Sequence, residues 1–165
     1  MADARYLLDA NIFITAARQY YPFDLAPGFW KCLEEHAKTG RVQSIDRVKD
    51  ELLRGKDDLA DWAKGAFAGA FAATGHPDVV AAFRKIMSWA QSQNQFMPAA
   101  KAEFAGCADG WLVAYAKVHG FVVVTQEVYA AEARKRVLIP NVCKASGVNY
   151  VDTWTMLRGL GAKLG

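Results

Sequence analysis

Long apolar runs are missing from this 165-residue sequence. No stretch of about 18 apolar residues occurs, so no membrane-spanning helix is expected. Tyr6-Leu7-Leu8 is the one apolar start near the N-terminus, and Asp9 and Asn11 cut it before it reaches the length of a signal-peptide core. Cysteine is scarce: Cys32, Cys107 and Cys143 are odd in number and lack metal-ligand spacing. That argues against a disulfide framework or a zinc finger and suits free thiols in a reducing cytoplasm. An excess of one charge is absent too. Twenty Lys and Arg against 17 Asp and Glu leave a net charge of +3, with a pI near 8.8, which neither demands nor opposes a nucleic-acid partner.

Several catalytic signatures are also missing. There is no glycine-rich phosphate loop, no Gly-x-Ser-x-Gly turn and no His pair at metal-ligand spacing. His36, His76 and His119 lie near expected helix ends and read as surface or capping residues. Cys107 has no neighbouring base in sequence, so it reads as a structural thiol.

What is present is core material. A hydrophobic fraction of 53% with 22% charged residues is too apolar for a disordered chain and suits a single domain over residues 1–165. Tyr6-Leu7-Leu8, Val42–Ile45, Phe121–Thr125 and Val148–Val151 read as strands. Helices are expected over Phe29–Lys38, Asp46–Arg54 with Gly55 as its left-handed end, Ala108–His119, Glu127–Arg136 and Thr153–Leu160. Leu138-Ile139-Pro140 reads as extended. Asp58–Ala73 and a helix from Pro77 read as a helical hairpin inserted over 57–95, with the Gly-Ala-Phe-Ala echo at 65 and 69 marking close helix packing. Strands alternating with helices predict an α/β fold, a sandwich around a mostly parallel sheet.

The notable chemistry is carboxylates in uncomfortable places. Asp9 follows the first strand at the carboxyl edge, where open parallel sheets bind ligands, and Asn11 can hold the turn beside it. Glu51 borders the apolar pair Val48 and Leu52. Asp109 begins a helix whose Leu112, Val113 and Ala116 share its face, and Glu127 comes two residues after the strand ending at Thr125. Each acid alone also fits a cap, a helix flank or a solvated loop. Gathered at one crevice, they would repel one another and need a cation. Oxygen-only donors suit Mg²⁺ or Mn²⁺, the ions of phosphoryl chemistry.

The stretch Tyr6-Leu7-Leu8-Asp9-Ala10-Asn11-Ile12-Phe13-Ile14 resembles the opening strand of PIN-domain nucleases, with its Asp-x-Asn. Val48-Lys49-Asp50-Glu51-Leu52 is similar to their second acidic motif, Ala108–Ala116 to the third, and Val122-Val123-Val124-Thr125-Gln126-Glu127 to the fourth. Ile139-Pro140-Asn141-Val142-Cys143, Tyr20-Tyr21-Pro22 and Gly28-Phe29-Trp30 resemble signatures of one bacterial PIN-like subfamily. The resemblance implies a three-layer α/β/α sandwich and a Mg²⁺- or Mn²⁺-dependent ribonuclease like the VapC-like toxins of type II toxin–antitoxin pairs. RNA would be its substrate and an antitoxin from a neighbouring gene its partner, with a homodimer possible in principle. Asp9, Glu51, Asp109 and Glu127 would be the acidic quartet, with Asn11 and Thr125 in support. Two departures stand out: a longer Glu at 127, suited to holding metal through water, and Asn141 where the subfamily signature would carry Asp. Arg134-Lys135-Arg136, Lys144, Arg47, Lys49, Arg54 and Lys56 offer a phosphate track, the alternative being a solvated face. Two rivals remain: a catalytically silent PIN-like module that binds RNA or protein, and a haloacid-dehalogenase-like phosphatase. The latter chemistry needs an acid at position 11 and finds Asn11.

Overall fold

A computed structural model describes residues 3–164. The first half runs β1 (Tyr6–Leu8), α1 (Ala10–Thr15), α2 (Pro27–Lys38), β2 (Val42–Ile45), α3 (Asp46–Leu53), α4 (Asp58–Lys64) and β3 (Phe71–Ala72). The second runs α5 (Pro77–Ser92), α6 (Pro98–Gly106), α7 (Asp109–His119), β4 (Val122–Val124), α8 (Ile139–Ser146), β5 (Tyr150–Val151) and α9 (Thr153–Gly159). The strands form one sheet in the order β3-β2-β1-β4-β5, and every neighbouring pair is parallel. Helices cover this sheet as a three-layer α/β/α sandwich. Leu7, Leu8, Val42, Ile45, Val123 and Val124 are fully buried, as expected where helices pack on both faces of a parallel sheet. Among the described residues, no helix is long and apolar enough to cross a membrane.

Four local expectations need correction. Residues 57–95 are not a helical hairpin laid on the sheet. Instead α4 stops at Gly65, a short 3₁₀ turn spans Ala68–Ala70, and Phe71 and Ala72 pair with Ser44 and Ile45 as the edge strand. The cause is tertiary: buried Phe67 stacks on Trp62 at 4.5 Å and meets Phe13 at 5.6 Å, which turns the chain back toward β2. The repeated small residues serve this turn, and a Cβ at Gly69 would touch nothing. Close helix packing occurs elsewhere, between α5 and α7, where a Cβ on Gly110 would stand 2.6 Å from Met87 Cε and 3.1 Å from Phe83 Cε1.

Next, Glu127–Arg136 is irregular, because long-range partners hold its backbone in place of helical bonds. Leu138-Ile139-Pro140 does not continue as a strand but opens α8, with Pro140 in the first turn, where a missing N–H costs nothing. Pro98 likewise starts α6, a helix absent from the sequence reading. Lastly, the left-handed residue after α3 is Lys56 (φ 51°) rather than Gly55.

Candidate active site

In the order β3-β2-β1-β4-β5 the chain builds outward in one direction from β1 and then in the other from β4. The carboxyl ends of β1 and β4 therefore flank the switch point, where a crevice opens in sheets of this kind. Asp9 follows β1, and its N–H donates to the Val124 carbonyl at 3.0 Å, tying the two strand ends together. The residue as a whole is 3% exposed. Thr125, one residue past β4 and also buried, donates its hydroxyl to Asp9 Oδ2 at 3.3 Å and accepts the Glu127 N–H at 3.1 Å. One hydroxyl thus orients two of the acids. Ser44, buried at the end of β2, donates to the Leu8 carbonyl at 2.7 Å and fixes the same edge; nothing in the local sequence singled it out.

Helices that precede a parallel strand start at this carboxyl edge, and two of them complete the cluster. Asp109 is the first residue of α7, mostly buried beside Gly110 and Leu112. Glu127 Oε1 accepts the Ile139 N–H at the start of α8 at 2.8 Å. Its Oε2 meets Arg136 Nη2 at 3.2 Å, and the same nitrogen stands 3.8 Å from Asp109 Oδ2. Arg136, expected to line a phosphate track, is instead turned onto the acids. It lies nine residues after Glu127 in an irregular loop, so no periodicity marks the pair.

The electrostatics match the crowding. Burial first, then Asp109 and Glu127, push the Asp9 carboxyl up from 3.8 to about 8, against weaker opposing bonds from the Thr125 hydroxyl and the Asn11 backbone. Burial and Glu127 raise Asp109 to about 6; Arg136 opposes this and Glu51 adds to it. The Cys107 thiol is pushed up to about 12 by burial and by Asp109, so it stays protonated and is no nucleophile.

The sequence quartet is therefore brought together in part. Asp9, Asp109 and Glu127 stand near enough for their charges to act on one another. Glu51, beside buried Val48 and Leu52, is itself exposed on α3 and lines a neighbouring cleft of about 240 Å³ with Arg47, Arg54 and Trp111. It acts on Asp109 through its charge. The Asn11 side chain is exposed and its backbone alone bears on Asp9. Asn141 accepts the Ala130 N–H at 3.2 Å and donates to the Ala130 carbonyl at 2.7 Å, a pairing that an Asp could not make. Of the other cations, Arg47 lies over Trp111 and bonds Thr74, and Lys144 lies over Tyr129.

The donor chemistry suits a hard cation. All candidate ligands are carboxylate oxygens, and two of them hold protons more tightly than solvated acids do, which a divalent ion would displace. As placed, no three His, Cys, Asp or Glu side chains among the described residues group tightly enough to wrap one ion. Arg136 supplies the positive charge between Asp109 and Glu127.

The family described as "Domain of unknown function (DUF4411)" matches residues 6–164, a span that includes every residue of the site. No curated protein matches the sequence.

Proposed function

The chain belongs to the DUF4411 family, and from the chemistry of its crevice we propose that it is a metal-dependent ribonuclease. One observation carries the reading: a buried Asp9 whose carboxyl is driven to about 8 by burial first and then by Asp109 and Glu127, at the switch point of a parallel sheet. Carboxylates forced together with only Arg136 between two of them are set for a further cation, and oxygen donors select Mg²⁺ or Mn²⁺. Asp9 and Asp109 would hold that ion directly, and Glu127, with both oxygens engaged, through water. Bound there, the ion would lower the pKa of a water and neutralise charge on a phosphodiester.

The chain's own groups supply the rest. Thr125 keeps Asp9 Oδ2 aimed into the crevice, and the Ile139 N–H keeps Glu127 from collapsing onto it. Glu51, exposed and close enough to act on Asp109, accepts the proton of the attacking water and passes it to solvent. As the new oxygen–phosphorus bond forms and the ribose oxygen leaves, taking a proton from solvent, Arg136 pairs with the phosphate instead of the acids. The likeness to PIN-domain toxins supports RNA as substrate, a neighbouring gene's antitoxin as partner and the cytoplasm as compartment. A toxin would arrest growth when expressed alone and be relieved by that neighbour.

The Arg136 pairs favour a second reading, a silent module in which the guanidinium neutralises the acids permanently. Incubating single-stranded RNA with wild type and Asp9→Asn, in Mn²⁺ or in EDTA, separates the two. Cleavage should require both metal and Asp9. Equal cleavage by the mutant would move the chemistry elsewhere, and a wild type that binds Mn²⁺ without cleaving would favour the silent module.

A further inference from the structure

A cleft of about 450 Å³ is lined by Tyr20, Tyr21, Gln126, Asp152, Thr153 and Trp154 among others, and its size lies in the usual range of small-molecule sites. We infer that it is a nucleobase-binding subsite, an inference that rests on the ribonuclease reading for its connection to RNA. Gln126 sits between Thr125 and Glu127, so cleft and acid cluster share one strand end.

The lining identifies the occupant. Thr153 is 6% exposed, and its hydroxyl has no hydrogen-bond partner among the described residues. A buried hydroxyl left unpaired destabilises the fold, and a rotation of the Thr153 side chain toward the cleft it lines would let a ligand atom recover that loss. Tyr20 and Trp154 are large aromatics left 55% and 51% exposed. Trp154 is backed at its edge by Tyr21, which is itself stacked at 4.4 Å on buried Phe29, so the indole is held in place. Exposed aromatic faces beside a phosphodiester-cleaving centre suit base stacking, which any base can supply.

The polar groups narrow the choice. An apolar ligand would leave the Thr153 hydroxyl unpaired. A phosphate would find no cation in the lining, whose one charged group is Asp152. Asp152 accepts the Thr155 N–H at the start of α9 through Oδ1, and its second oxygen can accept from an exocyclic amine. Cytosine, adenine and guanine carry such an amine and uracil does not. The subsite therefore holds an amino-bearing base next to the scissile phosphate.

The test uses nucleosides, which carry no phosphate and need no metal. The full chain, ¹⁵N-labelled and in EDTA, is titrated with cytidine, adenosine, guanosine and uridine while the Trp154 indole N–H and Gln126 side-chain amide are followed by NMR. Both signals should shift saturably in the millimolar range, at least threefold more tightly for an amino-bearing nucleoside than for uridine. Binding should weaken about tenfold in Trp154→Ala and Thr153→Val, and survive in Trp154→Phe and Asp9→Asn. Thr153→Val should also melt about 2–4 °C higher, since it removes the orphaned hydroxyl, so lost binding there is not lost folding. Nucleoside shifts without RNA cleavage would keep the subsite and sink only the hydrolytic reading. RNA cleavage with no nucleoside shift at Trp154 or Gln126 would overturn the subsite and leave the cleft to a partner protein.

Discussion

Asp9 and Asp109 are the residues in which burial and charge conflict most, and pH exposes that conflict. Their carboxyls rise from 3.8 to about 8 and about 6 in the folded protein. The native state therefore binds more protons than the unfolded chain above about pH 4. Each acid contributes stability that is fully present below its unfolded pKa and lost as pH rises through its folded one. In EDTA, thermal melts should fall from about pH 4 to about pH 8, most steeply between about pH 4 and pH 6, where both acids lose stability. Asp109→Asn should flatten the part below about pH 6, and Asp9→Asn the part reaching toward pH 8. A wild-type profile flat across that window would mean that neither carboxyl is buried beside another acid.

At the scale of elements, the starts of α7 and α8 do the positioning. α7 reaches the crevice because Gly110 lets it lie close under Phe83 and Met87 of α5, with Phe83 stacked at 3.8 Å on Trp111. α8 offers its Ile139 N–H to Glu127, and Asn141 on the same helix clamps Ala130 from both sides. Asn141→Asp keeps the shape and removes the donor, leaving a carboxylate facing the Ala130 carbonyl. The expected cost is about 1–3 kcal/mol in a urea melt, with faster hydrogen exchange across residues 127–138 and unchanged exchange in α5. Unchanged exchange in that loop would mean that the clamp does not hold Glu127 in place.

For the whole molecule, the sheet order gathers acids from three separate stretches of chain into one charged crevice, so cation binding and folding are linked. Millimolar Mn²⁺ or Mg²⁺ at about 100 times its Kd should stabilise wild type by about 2.7 kcal/mol, or roughly 5–10 °C in a chain of this size. Asp109→Asn should melt higher than wild type in EDTA, by about 0.5–2 kcal/mol, because lost repulsion outweighs a helix-end interaction of about 0.3–1 kcal/mol. It should also gain much less from metal. If it melts lower and Mn²⁺ shifts both proteins equally, Asp109 is a helix cap and the crevice is not a cation site.

The sequence by itself determined the α/β alternation, the three central strands and the acids at their carboxyl edge. Those features are local: a β-branched run such as Val122–Val124 declares itself, and a polar residue directly after it must lie at the strand's end. Tertiary structure alone decided the rest. Phe71–Ala72 became a strand because Phe67 packs on Trp62, and Glu127–Arg136 lost its helix to bonds from Asn141, eleven residues beyond Ala130. Glu51 was left exposed at the rim, Arg136 was turned onto the acids, and the Thr153 hydroxyl was buried without a partner among the described residues. Each of these outcomes depends on where a distant segment lands, and a one-dimensional pattern carries no signal for it.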